Sequence, residues 1–481
     1  MDLKTLKSVH LVGAGGINMS AVGKLLLAAG VAVSGSDLVE NEQTRLLEGR
    51  GAKISIGESA NNVPAETQLL IYTSAAPAVN EERRAASTRG IPEMTNFAFL
   101  GDWFEDAKTV VVTGTHGKST TTAMLGLMLE KAGMDPTVVV GSKVPAFPDG
   151  NLRLGRPDLF VVEGDEYARH FLEFHPTGLI LNNLELDHTD VFRNIEALLQ
   201  SFHELVGQVK GGGVIVANVS DERIRRLIET ERDSLLERKI RVVPFGTGVG
   251  ADGDGTSFAN DVPWDVSSSQ EGDMRLVTIG RDNVTYRFNL PVPGHFNAMN
   301  AAAAALMAKE LGVAYPDMGA ALEAFKGIWR RFEFLGESGE ARVYSDYGHH
   351  PTAVAETLAA AHESFPGRRV ILCFQPHHRN RTKALFDAFI PSFDAADTLV
   401  LCEIFDVAGR EDDEDKDVSS HQLVDAVASR DAERGVRRTV EYASDPASAV
   451  GRALALAEQD DIVIVMGAGD IDAAVRRRLD L

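Results

Sequence analysis

The sequence predicts an α/β protein of three domains, spanning residues 1–107, 108–327 and 328–481. Three observations carry that reading. A chain of 481 residues is too long for one hydrophobic core. Short apolar runs (residues 9–12, 69–72, 178–181, 462–466) recur along it, each ending in a polar or glycine-containing segment, as buried parallel strands do. Near one quarter of its length, residues 109–112 lead into Gly114-Thr115-His116-Gly117-Lys118-Ser119-Thr120 and then a helix-forming run, 123–132. Strand, glycine loop and helix in that order are the context of a phosphate-binding loop.

Composition narrows the function. Apolar and charged contents of 44% and 25% are ordinary for a soluble globular protein. A net charge of −22 argues against a nucleic-acid groove or an anionic membrane surface as partner. A local phosphate site can still be positive within an acidic protein. Part of the excess lies in residues 411–417, read as a solvated loop. The two cysteines, Cys373 and Cys402, fall within predicted strands with no CxxC pair, which fits a reduced, cytosolic setting. The expectation is no signal peptide, no membrane-spanning helix and a cytoplasmic location.

In the first domain, strand 9–12 is followed by Gly13-Ala-Gly15-Gly16-Ile17-Asn18-Met19-Ser20 and a helix ending near Gly30. A second strand, 31–34, leads to Gly35-Ser36-Asp37. This reads as the opening βαβ of a dinucleotide fold, with Asp37 placed to take a ribose hydroxyl and Asn18 where a third glycine is usual. Strand 69–72 ends at Thr73-Ser74-Ala75-Ala76. Nucleotide binding by the loop ends 13–20, 35–37 and 73–76 is favoured over plain structural turns; these residues do not say which nucleotide.

In the central domain, backbone N–H groups at the helix N-terminus are expected to cradle phosphates, with Lys118 on the outer ones and the Ser119 hydroxyl toward Mg²⁺. Val112 stands where the strict spacing has glycine. Strand 158–162 ends in Glu163-Gly-Asp165-Glu166-Tyr167, and strand 178–181 in Asn182-Asn183-Leu-Glu185-Leu-Asp187-His188-Thr-Asp190. Two consecutive acid-rich strand ends after a phosphate loop point to metal coordination, with His188 a metal or phosphate ligand. Residues 246–273, rich in Gly, Asp and Ser, are expected to be exposed loop. Asn297 and Asn300 open an alanine-rich helix; their amides either meet a base or cap the helix.

In the third domain, residues 327–332 read as a hinge whose Arg330 and Arg331 suit a closing clamp on phosphate. One strand ends in Asp346-Tyr-Gly-His349-His350-Pro351, and another, 369–374, in Gln375-Pro-His377-His378-Arg379-Asn380-Arg381-Thr382. These two strand ends hold the densest polar constellation in the chain. Zinc binding there is the rival reading; the absence of a helical i,i+4 histidine pair and the distant cysteines weigh against it. Strands 398–401 and 462–466 are expected to complete another parallel sheet.

Taken together and in order, these motifs resemble the Mur ligase family of ATP-dependent amide-forming enzymes of peptidoglycan assembly. The resemblance runs over essentially the whole chain: 13–20, 34–37, 113–119, 163–166, Asp187-His188, Asn297 with Asn300, 330–332, 346–351 and 375–377. It implies a Rossmann-like UDP-sugar-binding first domain, a central ATP-binding domain and a Rossmann-like third domain that receives the amine. By resemblance ATP lies at Gly114 to Thr120, near Asn297 and Asn300, with Arg331 and Asp346 closing over it; Ser119, Glu163 and His188 hold Mg²⁺. The UDP-sugar falls to Gly15, Gly16, Ile17, Asn18, Met19, Ser20, Ser36, Asp37, Ser74, Ala75 and His116. Lys118, His188, His349, His377 and Arg381 carry the chemistry. The implied substrates are UDP-N-acetylmuramate and L-alanine, with murein tripeptide as the alternative amine, and the protein is expected as a monomer or homodimer. His378 replaces the family's usual Arg, leaving Arg379 as a substitute clamp for the amine's carboxylate; no carbamylated lysine is expected, since residues 189–209 contain no lysine. A NAD-dependent oxidoreductase built on 13–37 is the alternative of another class, and it leaves Lys118 and the acidic strand ends without a role.

Overall fold

The computed structural model describes residues 2–188, 191–249, 262–406 and 417–481. Most of the acidic run 411–417, and Asp190, therefore lie outside the described residues. The described chain folds into three mainly parallel sheets with helices packed on both faces. The first has the order Lys53–Ile56, Ala32–Asp37, Ser8–Val12, Leu69–Tyr72, Glu93–Thr95, all parallel. The third has the order Glu333–Ser338, Ala341–Asp346, Ile462–Met466, Val370–Phe374, Thr398–Cys402, Thr439–Ala443, and only its first pair is antiparallel.

The second sheet has ten strands, and its centre positions the site. Lys108–Thr113, which carries the phosphate loop, lies between Gly178–Leu181 on one side and Arg156–Glu163 on the other. All three are parallel, so their C-terminal ends emerge at one edge. Both acid-rich segments thus flank the phosphate loop, at the carboxyl ends of strands where open α/β sheets bind ligands. The far side of this sheet departs from the sequence reading. Trp264–Glu271, expected as exposed loop, is a strand paired with Met274–Arg281 and then Val284–Leu290 in an antiparallel meander. Its inward positions are Trp264 and Val266, buried beneath the helix His295–Glu310, while its outer serines give the segment its loop-like composition.

The cores show which parts are packed together. One continuous apolar cluster joins the first sheet to one face of the second, with Phe104 stacked on Phe160 at 3.9 Å between ring centroids. The third sheet has its own clusters on its two faces. Its connection to the rest runs through residues 327–332, where Gly327, Arg330 and Phe332 all have positive φ (81°, 55° and 47°). Among the described residues no helix is long and apolar enough to cross a membrane.

Candidate active site

The phosphate loop is built by two glycines and an asparagine. Gly114 (φ 134°) and Gly117 (φ 79°) take backbone angles that L side chains avoid. Gly117 caps the helix Lys118–Lys131, and a Cβ there would lie 2.2 Å from the Asn300 Oδ1. Asn183 holds the outer curve: its Oδ1 accepts from His116 N–H at 2.7 Å, and its Nδ2 donates to the His116 carbonyl at 3.1 Å. The helix N-terminus is left pointing into a cleft of about 340 Å³. Gly117→Ala is expected to lower ATP affinity at least tenfold while leaving circular dichroism unchanged. Unaltered ATP binding in that variant would show that the loop tolerates a side chain against Asn300.

Charge in the cleft is arranged around one half-buried cation. Lys118 Nζ donates to the Gly114 carbonyl at 2.8 Å and lies 3.0 and 2.8 Å from the two oxygens of Glu166. Burial alone would lower the Lys118 pKa; Glu166, Asp165 and Glu163 overcome it and raise it. Ser119 Oγ donates to Glu163 at 3.0 Å, and Gly141 N–H donates to its other oxygen at 2.6 Å. Burial raises the carboxyl pKa of both Glu163 and Glu166. Asp165, Glu166 and His188 each offer a ligand atom within 4.8 Å of the others. Oxygen-rich donors and buried carboxylates short of cationic charge fit a hard divalent ion.

The third domain closes this cleft. Its His349 Nε2 lies 3.6 Å from Asp187, and Arg381 reaches the same carboxylate with Nε and Nη2, both at 2.7 Å. Burial would raise the Asp187 pKa, but the His349 hydrogen bond and the Arg381 charge hold it well below its usual range. Thr352 Oγ1 donates to Glu185 at 2.7 Å, and His350 Nδ1 lies 3.3 Å from the same oxygen. A second opening of about 230 Å³ is lined by Asp165, His188, Tyr347, His349, His377 and Arg381. It shares Asp165, His188, Tyr347 and His349 with the first, so the two run together.

Burial pushes the pKa of His349 and of His350 down from 6.5 to about 4, and of His377 to about 2. Glu185 is held down from 4.5 to about 2 by His116 and its other partners, against the opposing effect of burial. All four values are lowered, so the unfolded chain binds the extra protons on acidification. The stability these four groups contribute is expected to be fully present well above pH 6.5, to fall between 6.5 and about 4 as the unfolded-state histidines charge, and to go on falling below 4.5 through Glu185 and His377. Urea unfolding across that range checks this; a flat midpoint would contradict it.

Three family models cover the chain: the Mur ligase family catalytic domain over residues 8–107, the Mur ligase middle domain over 112–308, and the Mur ligase glutamate ligase domain over 330–469. The chain belongs to the Mur ligase family. It is 35% identical to the UDP-N-acetylmuramate–L-alanine ligase of Salinibacter ruber, covering 98% of this chain and 94% of that one. It is 36% identical to the enzyme of the same name from Caldanaerobacter subterraneus, with 98% and 97% covered. Among solved structures, the UDP-N-acetylmuramate-alanine ligase of Thermotoga maritima superposes with a TM-score of 0.79 at 26% identity, covering 98% of each chain. A murein peptide ligase from Psychrobacter arcticus shares the fold, with a TM-score of 0.68 at 23% identity over 98% of each chain.

In this Mur ligase, the main cleft brings together Ile17, Asn18, Thr115, His116, Lys118, Ser119, Glu163, His188, Arg331 and His349. His377 and Arg381 line the adjoining opening. Several other residues singled out from the sequence have their side chains committed elsewhere. Met19 and Ser20 are buried, with Ser20 Oγ donating to the Ile17 carbonyl at 2.8 Å. Ser36 donates to the buried Glu82 at 2.5 Å. Asp37 accepts the Gly15 N–H at 2.8 Å, so it braces the glycine loop; Gly15 and Gly16 supply the turn and Ser74 and Ala75 are exposed at the neighbouring strand end. Neither Asn297 nor Asn300 caps its helix, whose N-cap is Gly294; Asn300 accepts from Thr121 Oγ1 at 3.2 Å under the phosphate loop. Asp346 is buried and accepts the N–H groups of Phe332 and Gly348, which fixes the hinge. Arg330 donates to the Gly467 carbonyl inside the third domain, so of the two hinge arginines only Arg331 faces the cleft. Arg379 is paired with Asp406 at 2.8 Å and with Glu403 at 3.6 Å, which removes it as a substitute clamp.

Two features escaped the sequence reading. Trp329, Tyr347 and Gly141-Ser142 also line the cleft. Lys24, only 1% exposed, donates to Gln43 at 2.9 Å and to Asn151 at 2.7 Å, fastening the first domain to the second below the 13–20 loop. A lone lysine within an apolar helix, Lys24 in residues 21–27, was the available signal.

Proposed function

We propose that the chain is an ATP-dependent ligase that joins L-alanine to the carboxylate of UDP-N-acetylmuramate, releasing ADP and phosphate, in peptidoglycan synthesis. The single observation that carries the site chemistry is Lys118 at the helix N-terminus, set between the Gly114 carbonyl and the buried Glu166, at the mouth of a cleft that all three domains line. The likeness over nearly the full length to ligases bearing this activity in their names supports the substrates.

ATP takes the phosphate loop, where N–H groups from Gly117 to Thr120 face its phosphates and Lys118 exchanges Glu166 for the outer ones. Ser119, Glu163 and His188, with Asp165 and Glu166 beside them, would hold Mg²⁺, which when bound neutralises phosphate charge. The UDP-sugar enters from the first domain over Ile17 and Asn18, which aims its carboxylate at the γ-phosphate for in-line transfer to an acyl phosphate. Arg331 closes from the hinge on the charge that develops. The amine enters beside His349, His377 and Arg381, attacks the acyl carbon and expels phosphate. It must arrive unprotonated, and one of the histidines beside it, which burial keeps neutral at pH 7, accepts its proton. Arg381, fixed by Asp187, presents its remaining N–H groups toward His377 and the amine's carboxylate.

The test is phosphate release with UDP-N-acetylmuramate and ATP, offering L-alanine, glycine, L-serine and murein tripeptide separately. L-alanine is expected to give the highest kcat/KM. Release with tripeptide but not L-alanine would assign the chain to recycling instead of synthesis.

A further inference from the structure

A second constellation stands beside the cleft and uses none of the residues assigned to magnesium. His116 comes from the phosphate loop, Glu185 from the segment after Gly178–Leu181, and His350 is the N-cap of the helix Pro351–Ser364 in the third domain. His116 Nε2 and His350 Nδ1 each lie 3.3 Å from the same Glu185 oxygen, and the three atoms lie within 4.8 Å of one another. An ion with bonds of about 2.0–2.2 Å in tetrahedral geometry spaces its ligands roughly 3.3–3.6 Å apart. Two of the three edges already have that length.

The donor set selects the ion. Two imidazoles and one carboxylate suit zinc or cobalt, whereas magnesium prefers six oxygens. The carboxylate is held in place: Thr352 Oγ1 donates at 2.7 Å to that same oxygen, and Thr115 Oγ1 both accepts the Glu185 N–H at 2.8 Å and donates to its carbonyl at 3.0 Å. Both imidazoles line the 340 Å³ cleft, which supplies an entry path and a fourth position. Binding exchanges three long contacts, the two of 3.3 Å to Glu185 and the 3.3 Å hydrogen bond from Thr352 N–H to His350 Nδ1, for bonds to the ion.

We propose that His116, Glu185 and His350 form a binding site for a zinc-class divalent ion, which ties the phosphate loop to the third domain and holds the cleft shut. Two ligands belong to the central domain and one to the third, so the ion binds only while the domains are closed. Product release requires them to part, and occupancy therefore slows turnover without displacing magnesium. The inhibitory consequence rests on the ligase reading; the binding of the ion does not.

The experiment titrates the full-length protein with Co²⁺, without nucleotide and in millimolar Mg²⁺, and reads the visible absorption of four-coordinate cobalt. One equivalent is expected to bind with intense bands and to be displaced by Zn²⁺. His350→Gln and Glu185→Gln are each expected to weaken binding at least tenfold, while His188→Gln retains it. Thermal melts with and without Zn²⁺ guard against misfolded variants: Zn²⁺ raises the midpoint of the wild type and of His188→Gln alone. Absence of the bands in the wild type, their persistence in both ligand variants, or their loss in His188→Gln would overturn the site. If the bands appear as expected but Zn²⁺ leaves phosphate release unchanged at saturating Mg-ATP, the closing role is wrong and only the binding site stands.

Discussion

Lys118→Ala is expected to lower kcat for phosphate release by at least about 10²–10³-fold, the loss seen when one preorganised charge on a reacting group is removed. The side chain is the cation set between the phosphate loop and Glu166, and it reaches phosphate by exchanging one partner for another. Its removal also leaves Glu166, 1% exposed, without its counter-ion. Burial already raises that carboxyl's pKa, so it takes up a proton in the variant instead of unfolding the site. Lys118→Ala/Glu166→Gln is therefore expected to be as inactive as the single variant and at least as stable. Turnover within tenfold of the wild type in either would remove Lys118 from the chemistry.

Asp187→Ala is expected to be the most damaging single change to the closed form. Asp187 is 5% exposed and Arg381, from another domain, is equally buried. Truncating one partner of such a pair strands the other charge and costs about 3–5 kcal/mol. The same carboxylate holds His349 at 3.6 Å, so the amine-side groups lose their common anchor. Both kcat and the KM for the amine should worsen, while ATP affinity, set by the loop 114–120, changes little. A variant with normal amine KM and normal unfolding would show that the pair is dispensable. Asp187→Ala/Arg381→Met is expected to regain stability but not turnover.

The legible part of the site was the part fixed within single strand–loop units. The run from Thr109 to Ser119 specifies strand, turn and helix locally, and the acidic strand ends followed from apolar runs stopping at Glu163 and Asn182. Parallel pairing of those strands with Lys108–Thr113 then placed them together. What the sequence concealed depends on contacts between distant segments. Lys24 meets Asn151 across 127 residues, and Arg381 meets Asp187 across 194. Arg330 and Arg331 are alike as residues, and only the packing of Arg330 onto Gly467 separates the structural one from the one in the cleft. Asp37 had the position of a ribose ligand and Ser36 lay beside it, but the chain supplied partners for them in Gly15 and Glu82. The strand Trp264–Glu271 was hidden by its solvent-facing serines.

The proposed ligation requires this cleft to transfer phosphate to a carboxylate before the amide bond forms. UDP-N-acetylmuramate carrying ¹⁸O in its lactyl carboxylate tests it most directly, with L-alanine as the amine and phosphorus NMR of the released phosphate as the readout. One labelled oxygen is expected to appear in inorganic phosphate for each amide formed, and Lys118→Ala is expected to abolish both. Amide formation with unlabelled phosphate would rule out the acyl phosphate.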